Sequence, residues 1–133
     1  MKQFLEQLKT IPEVNELIQR VEGGGCPAAV TGLQPVQRAC VGAAVTAALE
    51  RPAVFVCGDE RELRQLAGDL QTLTGETPVV LQSREWQLRP GAIASRDWER
   101  SRLAALYALC RGDARIVVTT ADALMQRTID ASF

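Results

Sequence analysis

The chain has 133 residues, of which 47% are hydrophobic, so it is long enough for one domain with a substantial core. Its net charge of −1 disfavours autonomous DNA binding. No apolar run approaches the roughly 20 residues of a membrane span, and the polar, amphipathic amino terminus is not a signal peptide. We therefore expect a cytoplasmic globular protein that does not engage a membrane.

The residue types present exclude several kinds of catalytic and metal site. The chain contains no histidine, which excludes a histidine triad, a histidine general base and a histidine metal ligand. None of the four cysteines (Cys26, Cys40, Cys57 and Cys110) are paired at metal-ligand spacing. We expect buried, reduced thiols, no metal site and no cofactor.

In the first third of the chain, the residue pattern predicts helices and one strand. Two short helices are expected over residues 2–9 and 12–22. Gly23-Gly24-Gly25 then ends the second helix and provides a hinge. A short buried strand over residues 28–31 and an alanine-rich helix over residues 35–50 follow.

The remainder alternates strands and helices. Residues 53–57 form a continuous apolar run, which is typical of a strand covered on both faces. Asp59 and Glu62 predict a capping box, and Gly75 ends the helix that follows. The apolar stripe expected on that helix consists of Leu63, Leu66, Ala67, Leu70 and Leu73. The later elements expected are a strand over 78–81, a helix over 97–110, a strand over 116–119, a helix over 122–127 and a tail over 128–133. The stripe expected on the 97–110 helix consists of Leu103, Leu106, Tyr107 and Cys110.

This alternation predicts the α/β class, with a three-layer parallel sheet and helices on both faces. Three regions are expected along the chain. Residues 1–25 hold the amino-terminal helices and the glycine hinge, residues 26–127 form the main subdomain, and residues 128–133 form a tail that leads to a further domain.

A degenerate phosphate-binding loop begins at Gly32. The working motif is G-x-x-x-x-G-K-[ST], but Gln37, Arg38 and Ala39 stand where its last three residues belong. Pro35 has no N–H to aim at a phosphate, and Ala39 cannot bind Mg²⁺. These departures argue against ATP hydrolysis. On these residues alone, an ordinary turn into a helix that begins at Pro35 is the better explanation of Gly32.

Two further groups of residues have competing interpretations. Asp59-Glu60 and Asp122 are possible magnesium ligands, but each is better explained as the start of a helix. Arg84, Trp86, Arg89, Arg96 and Arg100 form a possible interaction surface, for docking or for nucleic acid. The alternative, which we favour, is a solvated helix face, with Trp86 covering the sheet edge.

The order of several blocks carries a family resemblance. Ile116-Val117-Val118-Thr119-Thr120 resembles the strand and threonine segment that contacts nucleic acid in superfamily-2 helicases. Arg84-Glu85-Trp86, the helix block 102–109, this strand and 123–127 together resemble the amino-terminal, UvrB-like region of bacterial transcription-repair coupling factors, the Mfd family. The resemblance spans about residues 4–127.

The resemblance implies a degenerate RecA-like helicase subdomain without catalysis. It would be the first subdomain of a much longer, ATP-driven DNA translocase that displaces stalled RNA polymerase and recruits UvrA for nucleotide excision repair. Its partners would be the rest of that protein and, through an adjacent domain, UvrA; RNA polymerase and DNA would bind other domains. The alternatives are a fragment of an active superfamily-2 helicase core and a standalone small α/β regulatory domain.

Overall fold

The described residues, 2–83 and 96–126, of this computed structural model form three helices followed by alternating strands and helices. The helices are α1 (Lys2–Lys9), α2 (Pro12–Glu22), α3 (Pro35–Leu49), α4 (Glu60–Thr74), α5 (Arg96–Arg111) and α6 (Ala121–Met125). The strands are β1 (Ala53–Cys57), β2 (Val79–Leu81) and β3 (Ile116–Thr120). These bounds confirm most of the elements predicted from the sequence. The predicted tail over 128–133 lies outside the described residues.

The strands form one parallel sheet in the order β1-β3-β2. Ala53 of β1 pairs with Ile116 of β3, and Val79 of β2 pairs with Val117 on the other side. Helices connect the parallel strands, as parallel pairing requires. The protein is therefore of the mixed α/β class, with a small three-stranded sheet.

The strand predicted over residues 28–31 is absent, which corrects the sequence-based prediction. This segment has no regular secondary structure and joins none of the three strands, and Val30 is half exposed. A strand exists only where a neighbouring strand accepts its backbone hydrogen bonds. A short apolar run does not by itself specify such a neighbour.

The main core lies between the sheet and the helices α3 and α4. Leu63 and Leu70 of α4 and Val118 of β3 are completely buried there. Leu5 of α1 belongs to the same cluster, whereas Val14 of α2 packs in a smaller cluster against α3. The stripe predicted on α4 is confirmed, because that face meets the sheet. Three of its residues are buried in this cluster and the other two are partly buried against it, namely Leu63, Leu70 and Leu73, then Leu66 and Ala67.

The other face of the sheet is covered only in part. Leu81 of β2 packs with Ala105 of α5 and Ala123 of α6. On β1, however, Val54 is 58% exposed and Val56 is 55% exposed. The prediction that β1 is covered on both faces is therefore wrong, because no described helix covers β1 on this face.

The stripe predicted on α5 is confirmed only at Leu106, which packs against the cluster of Leu81 and Ala105. Leu103 and Tyr107, both expected in the core, are 66% and 63% exposed, and Cys110 is exposed. Ala105 is buried instead. The polar side of α5 is held inward by Arg102, whose guanidinium donates to the Gln82 carbonyl at 2.9 Å. The spacing of apolar residues along the sequence does not reveal a hydrogen bond of this kind.

Within the described part of the chain, no helix combines the length and apolarity needed to cross a membrane.

Candidate functional site

The candidate site is the turn from Gly32 into α3, where a phosphate-binding loop would lie. Gly32 has a φ of +81°, in the left-handed region that favours glycine. Pro35 occupies the first turn of α3, with Gln34 as the N-cap residue. A proline at this position leaves no hydrogen bond unmade, since the first N–H groups of a helix have no partner within it.

Two glutamines cap the amino terminus of α3. The backbone N–H of Gln34 donates to Gln37 Oε1 at 2.8 Å. The Gln34 side chain in turn accepts from the backbone N–H of Gln37, which completes a capping box. A phosphate loop would direct such backbone donors toward an anion. Here the side chain at the second-glycine position occupies the helix terminus itself.

Arg38, at the lysine position of the motif, is engaged by neighbouring groups. Its Nη1 lies 3.2 Å from Glu62 Oε1 of α4, and its Nε donates to the Leu33 carbonyl at 3.2 Å. The other Glu62 oxygen accepts from the Gly58 N–H at 2.9 Å. This pair is largely exposed, so it contributes at most about 1 kcal/mol. It nevertheless places a carboxylate beside the only cation of the degenerate motif.

The last motif position, Ala39, is completely buried in the main core. A methyl group there packs against the sheet and offers no oxygen to a metal. Within the described residues, no group of three or more cysteine, aspartate or glutamate side chains is arranged to hold a metal ion. The geometry of this turn therefore suits a capped helix start better than an anion site.

The carboxylates considered as magnesium ligands have structural contacts. Asp59 Oδ1 accepts from the Glu62 N–H at 2.7 Å, which confirms Asp59 as the N-cap of α4. Glu60 Oε1 accepts from Ser83 N–H at 3.3 Å, so it joins α4 to the end of β2. Asp122 is exposed in the first turn of α6. All three carboxylates therefore lie at the N-cap or in the first turn of a helix.

The threonines that end β3 are buried. The Thr119 hydroxyl donates to the Leu81 carbonyl at 2.9 Å, and Thr120 Oγ1 accepts from the Ala123 N–H at 3.3 Å. Both side chains are almost completely inaccessible to solvent. In this structure they support the fold and are not exposed for contact with nucleic acid.

We expect Thr119→Val to lower the free energy of unfolding by about 1–3 kcal/mol, because a buried hydrogen bond to Leu81 is lost without a change of shape. Urea denaturation measures the effect. The matched control is Thr72→Val on the exposed side of α4, with an expected change below about 0.5 kcal/mol. Equal losses for the two variants would show that the Thr119 hydroxyl adds nothing specific.

The proposed arginine and tryptophan surface is described only in part. Arg84, Trp86 and Arg89 lie outside the described residues. Arg96 is described only as the first residue of α5, and Arg100 is exposed on that helix. The interaction surface therefore stays a prediction, because three of its five residues lie outside the described part of the chain.

A neighbouring contact was not anticipated from the sequence. The Trp98 indole N–H donates to the Ser83 carbonyl at 2.8 Å, and the Arg102 guanidinium lies 5.9 Å from the Trp98 ring centre. Arg102 also reaches the Ala123 carbonyl at 3.5 Å. The spacing of four residues between Trp98 and Arg102 was the signal for this contact, since such residues are neighbours on a helix.

The thiols divide into two classes. Cys57 is buried and Cys40 half-buried, whereas Cys26 and Cys110 are exposed, so the expectation of buried thiols is wrong for the latter pair. Burial raises the pKa of the Cys57 thiol, and the charges of Glu62 and Asp59 raise it further. Burial, followed by the charge of Asp69, likewise raises the pKa of Cys40. Both inner thiols are thus disfavoured as nucleophiles.

Comparison of the chain with protein-family models, curated proteins and solved structures found no significant match.

Proposed function

We propose that this chain is a non-catalytic scaffold and interaction module, the UvrB-like amino-terminal region of a transcription-repair coupling factor. In this proposal it is a degenerate RecA-like subdomain with three layers. It holds the adjacent UvrA-recruiting domain in place, while the ATP-driven DNA translocase and the site for RNA polymerase lie elsewhere in the longer protein. The module itself binds neither cofactor nor metal.

The observation that carries the non-catalytic part is the occupied amino terminus of α3. Gln34 and Gln37 cap each other across the first turn, and Arg38 pairs with Glu62. An incoming triphosphate would have to displace both arrangements and would still find no hydroxyl at Ala39. The assignment to the Mfd family rests on the ordered sequence blocks, and the α/β class is compatible with it.

The first experiment measures binding of a fluorescent ATP analogue in the presence of Mg²⁺. We expect no saturable change in fluorescence anisotropy, because Gln34 and Gln37 cap the helix start, Pro35 has no N–H, and Arg38 is paired with Glu62. An intact phosphate-loop ATPase is the positive control. Micromolar affinity for this chain would contradict an inert loop and favour the alternative of an active helicase fragment.

The second experiment tests the family assignment with purified UvrA. The chain is immobilised and compared with a version extended through the domain that the proposal places after it. We expect UvrA to be retained by the extended version and weakly or not at all by the chain alone. Retention by neither version would overturn the proposed role in UvrA recruitment. Equal retention by both versions would indicate that UvrA binds this chain itself.

A further inference from the structure

Strand β1 has the composition of an interior strand but lies at the edge of the sheet. Its residues, Ala53–Cys57, include no charge and no proline, the features that usually protect an edge from pairing. The equally apolar start of β3 lies at the centre of the sheet and is buried on both faces. In β1, by contrast, Val54 and Val56 leave one apolar face open.

The open edge also presents backbone hydrogen-bonding groups. The Ala53 N–H donates to the Arg115 carbonyl at 2.9 Å, on the side of β3. Because successive residues of a strand turn their backbone groups to opposite sides, Phe55 and Cys57 also face β3. Val54 and Val56 therefore turn their N–H and C=O groups outward. In the described part of the chain, β1 pairs with β3 alone.

The helices on the opposite face limit what can reach this edge. Helix α4 packs over β1 and β3, while α3 lies beside α4 and meets Phe55 of β1 at Gly42. Packed helices are about 8–10 Å apart, roughly two strand spacings. Helix α3 therefore extends past the open edge of β1. It covers one face of the position that a single added strand would take.

The position of α3 and the small exposed apolar area of β1 both disfavour a second copy of the chain as the occupant. An antiparallel copy paired through the same edge would bring its own α3 to the same face, where the two helices would overlap. On β1 itself the exposed large apolar residues are the two half-exposed valines, whereas a stable dimer needs about 800 Å² from each partner. A single extended segment meets neither obstacle.

We propose that the open edge of β1 binds one extended polypeptide segment as an added strand. The segment carries β-branched apolar residues next to Val54 and Val56, and a basic residue next to the exposed carboxylate of Asp59, which follows the strand. This interaction surface goes beyond the proposed repair function and does not depend on it, because it rests on the composition and position of β1.

The test uses the whole chain, labelled with ¹⁵N, and the soluble peptide acetyl-Thr-Val-Ile-Val-Thr-Lys-amide. We expect the peptide to slow hydrogen exchange of the Val54 and Val56 amides at least ~10-fold, because it would accept their hydrogen bonds. A peptide with both valines replaced by proline is expected to have no effect, since proline lacks the backbone donor that pairing needs.

Two variants locate the binding site. Val54→Lys is expected to weaken peptide binding at least ~10-fold, because a lysine on an edge strand opposes pairing. Leu103→Lys on α5 is the matched control, since Leu103 is similarly exposed but lies away from β1, and its binding is expected to be unchanged. Circular dichroism verifies that both variants remain folded.

Three results would overturn the proposal. The first is no peptide binding up to ~1 mM, which corresponds to about −4 kcal/mol. The second is an equal loss of binding in Val54→Lys and Leu103→Lys. The third is a concentration-dependent dimer that protects the Val54 and Val56 amides without peptide, which would make a second copy the occupant.

Discussion

Replacement of Leu63 by alanine is expected to lower the free energy of unfolding by about 2–5 kcal/mol. Leu63 is completely buried in the main cluster, where it packs with Ala39 of α3 and Val118 of β3. Truncation removes the apolar contacts and leaves a cavity that a close-packed interior fills only in part. Urea denaturation followed by circular dichroism measures the loss.

The matched control is Leu103→Ala, which makes the same chemical change on α5. Leu103 is mostly exposed, so a change below about 0.5 kcal/mol is expected. This comparison also tests the orientation of α5, because the sequence pattern placed Leu103 in the core. Losses of similar size in the two variants would favour the sequence pattern over the observed orientation.

Gly42→Ala is expected to destabilise the protein by about 1–3 kcal/mol, although alanine is the better helix former. A Cβ atom at Gly42 would lie 2.5 Å from Cε1 of Phe55. No real contact is that short, so the ring or the helix has to move. Thermal and urea unfolding measure the change.

Gly68→Ala is the control for helix propensity. A Cβ atom at Gly68 of α4 meets no other atom within 4 Å, so this variant is expected to be more stable by roughly 0.5–1 kcal/mol. Adding Phe55→Leu to Gly42→Ala is expected to restore part of the lost stability, because it removes the ring edge. A stabilising Gly42→Ala would mean that α3 does not approach β1 this closely.

The elements that the sequence predicted well have strong local signals. The N-cap Asp59 and the C-cap Gly75 mark both ends of α4, and the leucines between them repeat at helical spacing. Similarly, the apolar runs of β1 and β3 identify these segments as strands. Such signals depend on neighbouring residues, which is why they survive in the folded structure.

The failed predictions depend on contacts between distant residues. Residues 28–31 would form a strand only beside a partner strand, and the sequence does not indicate which strand that would be. Whether Val54 is buried depends on where α5 packs on the sheet. The orientation of α5 follows from the contacts of Arg102 and Trp98 with the end of β2. At the candidate site the sequence correctly indicated the departures from the motif, but not that Gln37 would cap the helix or that Arg38 would pair with Glu62.

The strand order has a consequence for folding during synthesis. Among the described strands, β1 and β2 each pair only with β3, which is the last of the three in chain order. No two strands of this sheet can therefore pair until residues 116–120 have left the ribosome. Until then, β1 and β2 expose apolar edges to the cell, and early folding is limited to contacts among the helices. We expect the nascent chain to rely on chaperones most strongly just before β3 emerges.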